Sequence, residues 1–282
     1  MGVKYAKVIK MDYKIIASDL DGTLLKHDAI SEENENAIKE LIKRGVYFVP
    51  ATGRAFDELP KHLKETELFR YYIVSDGAQI YDKEKNEMFE FSMNKEKTKQ
   101  ILDKLFSYDI CLFVHYDIYS YCDKQKHSAE IYKNYNMNKH WVEFSLEKEV
   151  VVENLKDFVY SLDEIPLFVP FFKNMEDLLE CKAYFEKDDE LLVAQTDPHN
   201  LEIFSKKAGK GNSLLRLADI LGVDKKATIA VGDSTNDYTM VKMAGLGLAV
   251  ENAVDELKEV ADKVICNYKE HSAKYILENF IK

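Results

Sequence analysis

The chain has few cysteines, and their spacing argues against both a disulfide framework and a zinc site. The 282 residues include four cysteines, scattered at positions 111, 122, 181 and 266 without a C-x-x-C pair. The seven histidines show no i, i+4 pair or other ligand spacing, so we expect no histidine metal site. Chemistry that depends on thiolate or imidazole ligands is therefore not predicted.

A basic surface and long apolar runs are also missing. Aspartate and glutamate number 50 against 39 lysines and arginines, and the formal net charge is -11 at pH 7. Nucleic acids and anionic membranes attract a basic face, so we expect neither as a partner. No apolar stretch approaches the ~18 residues of a membrane-spanning helix, and the first residues show no signal peptide. We therefore expect a soluble cytoplasmic protein, and its oligomeric state is left open.

The chain does contain two regions in which apolar strands alternate with amphipathic helices. The predicted strands lie at residues 14–18, 46–49, 71–74, 227–231, 246–250 and 263–265. The predicted helices lie at residues 32–44, 55–64, 211–220 and 236–243, with a further one at the end of the chain. Ser31 is expected to cap the first helix and Gly45 to end it. Strands separated by helices predict a doubly wound, mainly parallel, Rossmann-like α/β sheet.

The middle of the chain, residues 83–196, is rich in aromatic residues and differs from both ends. A hairpin is predicted around Tyr116-Asp117, and helices near 95–106 and 175–186 give this part an α+β character. A long insert between two parts of a parallel sheet predicts a cap. We expect a core of residues 1–82 and 197–282, with residues 83–196 inserted as an α+β cap domain.

Four short polar segments follow predicted strands or open helices. They are Asp19-Leu20-Asp21-Gly22-Thr23, Ala51-Thr52-Gly53-Arg54, Lys210-Gly211 and Gly232-Asp233-Ser234-Thr235-Asn236-Asp237. Ligands of open parallel sheets bind outside the carboxyl ends of the strands, so we expect these segments to meet at one edge. Two carboxylates two residues apart, as at Asp19 and Asp21, suit a nucleophile and a proton carrier.

The charges of these segments predict what the edge of the sheet binds. Asp19, Asp21, Asp233 and Asp237 cannot gather unpaired, because like charges raise each other's pKa values. A hard divalent cation relieves this repulsion, and Mg²⁺ prefers oxygen ligands. The four aspartates are therefore candidate Mg²⁺ ligands.

A cradle for an anion is predicted beside the carboxylates. The Lys210 amine, the Thr52 hydroxyl and the backbone at Gly53 offer the donors that a phosphate requires. An anion cradle, a metal and a nucleophilic carboxylate together indicate phosphoryl transfer through an aspartyl phosphate. Lys206 and Lys207 are rival candidates for the lysine, and Lys210 is preferred because Gly211 follows it.

The four segments resemble the four signature motifs of the haloacid dehalogenase superfamily of phosphotransferases. The T-G-R and G-D-x-x-N-D forms, with the insert after the third strand, resemble its Cof-like branch, which carries a type-two α/β cap. The motifs lie in the sheet regions, and the cap is similar in position and size only. The resemblance implies a Mg²⁺-dependent phosphomonoester hydrolase acting on a small phosphorylated metabolite, namely a sugar phosphate, a nucleotide or a phosphorylated cofactor.

The resemblance also implies a role for each motif residue. Asp19 is the implied nucleophile and a metal ligand, and Asp21 is the implied general acid and base, with its carbonyl oxygen also on the metal. The implied phosphate-binding residues are Thr52, Gly53, Lys210 and Asn236. The remaining implied metal-site residues are Asp233, as a direct ligand, and Asp237, behind the direct ligands. One departure is Asp76, where relatives commonly have asparagine.

Several other interpretations stay open at this point. A sugar phosphomutase uses the same aspartyl phosphate, and a phospholigand-binding protein without catalysis retains the same scaffold. The Asp-x-Asp-Gly run suits a calcium loop poorly, since it lacks the further oxygen ligands of an EF-hand. Arg54 is expected to pair with a surface acid or to lie near the phosphate, without a catalytic role. His115 and Tyr116 are interpreted as structural residues of the hairpin.

Overall fold

The computed structural model describes residues 12–26 and 28–281, so the prediction that the first residues hold no signal peptide lies outside the described residues. Its strands are β1 Ile15–Ser18, β2 Leu25–Lys26, β3 Ala29–Ile30, β4 Tyr47–Pro50, β5 Tyr71–Val74, β6 Gln79–Asp82, β7 Glu87–Glu90, β8 Met93–Asn94, β9 Ile110–Tyr116, β10 Tyr119–Asp123, β11 Val150–Val152, β12 Glu164–Ile165, β13 Leu167–Phe172, β14 Leu191–Ala194, β15 Glu202–Ser205, β16 Thr228–Gly232, β17 Leu246–Ala249 and β18 Lys263–Val264. Its α-helices are α1 Glu32–Lys43, α2 Lys61–Lys64, α3 Lys95–Leu105, α4 Ala129–Asn134, α5 Lys139–Lys148, α6 Leu155–Ser161, α7 Met175–Phe185, α8 Lys210–Ile220, α9 Tyr238–Met243, α10 Asp255–Val260 and α11 Ser272–Phe280.

The central sheet is parallel and has the strand order β18-β17-β16-β1-β4. A parallel bridge between Ala51 and Ile73 places β5 beside the end of β4. The chain runs outward from β1 to β4 and β5, and later returns to the other side of β1 through β16. This reversal makes the gap between β1 and its neighbours the switch point at which such sheets bind ligands. The predicted doubly wound α/β sheet is confirmed.

The predicted cap and end of α1 are present, and the central strands are buried. Ser31 caps α1, since its side chain accepts a hydrogen bond from the Asn34 backbone N–H, and Ile38 and Leu41 of α1 are buried. Gly45 follows with a φ of +74°, a conformation that favours glycine. Every residue of β1 and of β16 is buried, as expected for strands covered on both faces.

One predicted helix is shorter than expected. The pattern at 55–64 predicts a continuous helix, but residues 55–59 are not helical, with a turn at 56–58, and α2 begins only at Lys61. Pro60 lies directly before α2. Proline lacks a backbone N–H and is disfavoured inside a helix, so the helix begins after it. The prediction for residues 55–59 was wrong.

A second sheet is formed by strands from the middle of the chain and has the order β11-β10-β9-β13-β15-β14. The predicted hairpin is confirmed, because β9 and β10 pair antiparallel with Tyr116 opposite Tyr119. Predicted helices near 95–106 and 175–186 are confirmed as α3 and α7. Separate apolar clusters cover the two faces of this sheet, so it has a core of its own.

The predicted domain limits fall in the connections between paired strands. β6 and β7 pair across residues 82 and 83, and β14 and β15 pair across residues 196 and 197. The division into residues 1–82, 83–196 and 197–282 stays a prediction. Among the described residues, no helix is long and apolar enough to cross a membrane, and the location in the cell stays a prediction.

The central sheet gives a test of where the stability of this protein lies. Ile16 is fully buried in β1, between Phe48 of β4 and Ile229 of β16. We expect Ile16→Ala to lower the free energy of unfolding by roughly 2–5 kcal/mol, because it removes buried apolar contacts and leaves a cavity. The half-exposed Ile42 of α1 is the control, and Ile42→Ala should cost about 0.5 kcal/mol or less. Urea unfolding measures both, and equal losses would contradict this account of the core.

Candidate active site

Residues that directly follow three strands of the central sheet line one cavity. Asp19 follows β1, Thr52 and Gly53 follow β4, and Asp233 follows β16. These residues, with Asp21 and Asn236, line a cavity of about 220 Å³. Lys210 and Asp237 are fully buried and contact the cavity-lining residues from beneath. The predicted meeting of the four segments is therefore present in the structure.

Lys210 forms two buried ion pairs at the base of this cavity. Its Nζ donates to Asp19 Oδ1 at 2.8 Å and to Asp237 Oδ1 at 2.6 Å. Burial opposes the charge on the amine, but the carboxylates of Asp19 and Asp237 outweigh it and hold the pKa of Lys210 well above its ordinary value. Lys206 and Lys207, the rival lysines, are exposed. Lys210 opens α8 directly after Gly209, whose φ is +97°.

Asp19 has one occupied and one free carboxylate oxygen. Its side chain is only 9% exposed, and Oδ2 is buried without a hydrogen-bond partner. Burial raises the pKa of Asp19 well above its ordinary value, against the lowering effect of Lys210, and the charges of Asp237, Asp233 and Asp21 add to the rise. A buried carboxylate oxygen without a partner is costly, so a ligand at this position stabilises the site.

The donor set around Asp19 fits a hard divalent cation. Asp19, Asp233 and Asp237 each offer a carboxylate oxygen, and these three oxygens lie within 4.8 Å of one another. Burial and the charge of Asp237 raise the pKa of Asp233 to about 6. A divalent cation would remove the repulsion between these carboxylates. Asp233 Oδ1 accepts from the Thr23 hydroxyl at 3.0 Å. A Cβ at Gly22, where φ is +86°, would lie 2.6 Å from Asp233 Oδ2, so this position requires glycine.

Asp237 is already engaged by the protein. Its Oδ1 pairs with Lys210, and its Oδ2 accepts from the backbone N–H groups of Asp233 and Ser234 at 2.9 and 3.1 Å. These bonds hold the turn after β16 against α8. The geometry thus assigns Asp237 a positioning task, and its contact with a metal stays a prediction.

Asp21 is held by an arginine that the sequence analysis did not identify as a site residue. Arg54 Nε and Nη2 donate to the two oxygens of Asp21 at 2.9 and 2.7 Å, and Nη2 also donates to Asp28 at 2.7 Å. The Arg54 side chain is 3% exposed and that of Asp21 is 48% exposed. The guanidinium also lies 5.0 Å from the centre of the Phe144 ring. Only the T-G-R run marks Arg54 in the sequence, and it does not reveal these partners.

The remaining predicted phosphate-binding residues lie beside Asp76. Thr52 Oγ1 accepts from the Arg54 backbone N–H at 3.2 Å, so the hydroxyl also caps its own turn. Asn236 Nδ2 donates to Asp76 Oδ1 at 2.8 Å. Asp76 is fully buried with a φ of +53°. A Cβ at Gly53 would lie 3.2 Å from Asp76 Oδ1, so this carboxylate abuts the turn after β4.

The opposite wall of the cavity comes from the second sheet and its helices. His115 of β9 is buried there, which the hairpin prediction interpreted as structural, and it also lines the cavity. Aromatic rings cover much of this wall, contributed by Phe113, Trp141, Phe144 and Phe171. Three further acids complete the lining: Glu58, Glu149 and Glu202. No sequence pattern pointed to these acids, because they meet only through tertiary packing.

Comparison with known proteins identifies the family of this chain. Residues 16–277 match the family described as haloacid dehalogenase-like hydrolase. The chain belongs to this family. The match covers the central sheet and the whole insert, and it confirms the resemblance seen in the four motifs.

Relatives and solved structures agree with this assignment. The chain is 30% identical to the 5-amino-6-(5-phospho-D-ribitylamino)uracil phosphatase YwtE of Bacillus subtilis, over 95% of this chain and 98% of that protein. It is also 30% identical to the phosphatase YwpJ of Bacillus subtilis, over 95% of this chain and all of that protein. A haloacid dehalogenase-like hydrolase structure from B. subtilis superimposes with a TM-score of 0.81 at 27% identity, covering 95% of this chain and all of that one. The predicted phosphatase activity is confirmed at the level of the family.

The buried lysine gives a stability test with a defined pH dependence. We expect Lys210→Met to lower the free energy of unfolding by roughly 3–5 kcal/mol at pH 8, because it leaves buried carboxylates uncompensated. The folded-state pKa of Asp19 is already raised above 3.8, and Lys210 lowers it, so the substitution raises it further. When the folded-state pKa of a carboxyl group is raised, the free energy of unfolding falls as pH rises. The stability lost in Lys210→Met should therefore be smaller at pH 5 than at pH 8.

Urea unfolding of both proteins in EDTA at pH 5 and pH 8 makes the measurement. Lys206→Met, at an exposed rival lysine, should change stability by about 0.5 kcal/mol or less at either pH. A Lys210→Met loss that is absent, or that is larger at pH 5, contradicts the ion-pair account.

Proposed function

We propose that this protein is a Mg²⁺-dependent phosphomonoester hydrolase that acts through an aspartyl phosphate on Asp19. The observation that carries the proposal is the state of this carboxylate. One oxygen is fixed by Lys210 at 2.8 Å, and the other is buried in the cavity lining without a hydrogen-bond partner. A nucleophile requires such an oriented, unshared oxygen.

The acidic cluster supports Mg²⁺ as the cofactor. Asp19 and Asp233 would hold the ion through carboxylate oxygens, Asp21 through its backbone carbonyl, and Asp237 from behind. When bound, the ion supplies positive charge to the phosphoryl oxygens during transfer. Asp233, whose pKa burial and Asp237 raise to about 6, is ionised more readily beside that charge.

Asp21 is the proposed proton carrier of the reaction. A positioned acid of this kind is typically worth about 10²–10⁴ in rate. In the structure both its oxygens accept from Arg54, a contact made by an ionised carboxylate. Asp21 must therefore leave Arg54 and take a proton before it protonates the leaving oxygen. It then accepts a proton from the water that attacks phosphorus and releases Asp19.

The donors around the cavity support binding of the transferring phosphoryl group. We assign this task to the Thr52 hydroxyl, the backbone at Gly53, the Asn236 amide and the Lys210 amine. Thr52, Gly53 and Asn236 line the cavity. Lys210 reaches it from below through Asp19, so its charge also offsets the charge that Asp19 brings to an anionic substrate.

The size of the cavity supports a small substrate. Its volume of about 220 Å³ is below the ~300–1,000 Å³ of pockets for drug-sized ligands. The B. subtilis relative is named for a phosphorylated ribitylamino-uracil, which is a small monophosphate. We propose a small phosphorylated metabolite here as well, with residues 83–196 acting as a cap that contacts its leaving group. Because the relatives are named as phosphatases, hydrolysis is preferred to mutase chemistry.

The nucleophile is tested by an isosteric substitution. Asp19→Asn keeps the shape of the side chain but removes the attacking charge, and we expect turnover of p-nitrophenyl phosphate with Mg²⁺ to fall on the order of 10³-fold or more. Asp255→Asn, at a side chain that is 96% exposed, should keep full activity. Full activity in Asp19→Asn would remove this carboxylate from the mechanism.

The metal is tested by removal and return. Dialysis of the protein against EDTA should abolish hydrolysis of p-nitrophenyl phosphate, because the substrate charge then meets uncompensated carboxylates. Addition of Mg²⁺ should restore activity, whereas Ca²⁺, which prefers more ligands at longer distances, should restore much less. Metal-free protein that hydrolyses the ester at the full rate would rule out the proposed cofactor.

A further inference from the structure

Buried polar atoms without partners concentrate around the active-site cavity. Among the described residues, such side-chain atoms occur on Asp19, Arg54, Asp76, Ser120, Glu149, His199 and Glu202. Five of these seven residues line the cavity: Asp19, Arg54, Ser120, Glu149 and Glu202. Folded proteins leave few buried polar groups unpaired, so their concentration on one cavity indicates a bound ligand.

These atoms divide between the two ends of a substrate. Asp19 Oδ2 and Arg54 Nη1 belong to the residues around the transferring phosphoryl group. Ser120 Oγ and Glu149 Oε2 belong to the opposite wall, where Ser120 lies on β10 and Glu149 directly precedes its neighbour β11. Ser120 is 1% exposed. A hydroxyl and a carboxylate oxygen that interact only with each other therefore lie at the leaving-group end.

Glu58 brings a second carboxyl group to the same end. It is 6% exposed and lines the cavity with Glu149. Its Oε2 accepts from the Ala55 backbone N–H at 2.5 Å. Burial raises the pKa of Glu58 to about 7, while burial and then the charge of Glu58 raise the pKa of Glu149. Both acids therefore line one cavity, and the charge of Glu58 opposes ionisation of Glu149.

Among the described residues of the lining, the cation nearest this pair is Arg54, whose charge is shared with other acids. His115 Nε2 lies 3.8 Å from Glu58 Oε2, but burial lowers the pKa of His115 to about 4, so it is neutral at pH 7. The Arg54 guanidinium is engaged by Asp21 and Asp28. Among the described residues, the lining contains one arginine and six acids: Asp19, Asp21, Glu58, Glu149, Glu202 and Asp233.

We propose that Glu58, Glu149 and Ser120 form a leaving-group subsite that binds a positively charged primary amine. The preferred substrate is then a small phosphomonoester whose leaving group carries an amine. This inference rests on the proposed function, because the subsite binds the amine only of a substrate whose phosphate lies against Asp19.

The chemistry of an ammonium group matches this subsite. An ammonium offers three donors and no acceptor, which suits two carboxyl groups and one hydroxyl. Hydrogen bonds between ionised partners are roughly twice as strong as neutral ones. The Trp141 ring on the same wall provides a further surface for a cation. A second phosphate or a carboxylate on the leaving group would oppose ionisation of Glu58 and Glu149, so the subsite disfavours it.

The test compares substrates that differ only in this group. For the wild-type protein with Mg²⁺ at pH 7.5, kcat/KM is measured for glucosamine 6-phosphate against glucose 6-phosphate, and for 2-aminoethyl against 2-hydroxyethyl phosphate. We expect the amine to be preferred by about tenfold in at least one pair, from the greater strength of charge-assisted hydrogen bonds. A ratio near one in both pairs, or preference for the hydroxyl, overturns the proposal.

Two variants locate the preference on the subsite. Glu149→Gln keeps the size of the side chain and removes its charge, and it should lower the amine-to-hydroxyl ratio about tenfold. Glu147→Gln is the matched control two residues away, at a side chain that is 72% exposed, and it should leave the ratio unchanged. A preference that survives in Glu149→Gln, with native-like thermal unfolding, overturns the assignment.

The same experiment separates this inference from the proposed function. Hydrolysis of p-nitrophenyl phosphate without any preference for amines refutes the subsite and leaves the phosphatase mechanism intact. Absence of p-nitrophenyl phosphate hydrolysis with Mg²⁺ refutes the mechanism on which the subsite depends.

Discussion

The buried contact of Lys210 with Asp19 and Asp237 is the interaction on which the rest of the active site depends. It joins the ends of β1 and β16 to the start of α8, which are 191 and 27 residues apart in sequence. Removing an amine and two carboxylates from water is costly unless each finds a partner. Here each does, and Asp237 also accepts hydrogen bonds from the backbone N–H groups of Asp233 and Ser234. These bonds fix the turn after β16. One lysine therefore orders three segments around one free carboxylate oxygen.

The two ends of the cavity have opposite chemical character, and this difference follows from the fold. The end at the central sheet gathers hydroxyl, amide and backbone donors where strands stop, because parallel strands direct their following turns to one edge. The end at the second sheet presents aromatic rings and the acids Glu58 and Glu149. Our proposal thus assigns phosphoryl chemistry to the central sheet, and discrimination among leaving groups to residues that its motifs do not specify.

The sequence predicted the parts of the site that depend on local pattern. Asp19 and Asp233 follow apolar strands, and Lys210 precedes a helix glycine, so their meeting followed from the alternation of strands and helices. The bonds of Arg54 and the proximity of Glu58 to Glu149 were not predictable, because these pairs are far apart in sequence and no periodicity reports them. The helix predicted over residues 55–64 is absent from residues 55–59 for a local reason, namely the proline at position 60.

The central claim is that Asp19 carries the phosphoryl group during turnover, and trapping that intermediate tests it most directly. The protein is mixed with p-nitrophenyl phosphate and Mg²⁺, quenched in the steady state and reduced with borohydride, which converts an aspartyl phosphate to homoserine. Peptide mass spectrometry then locates the change. The account predicts homoserine at position 19, dependent on substrate and on Mg²⁺. Homoserine at another aspartate, or unmodified Asp19 under conditions of rapid turnover, would contradict it.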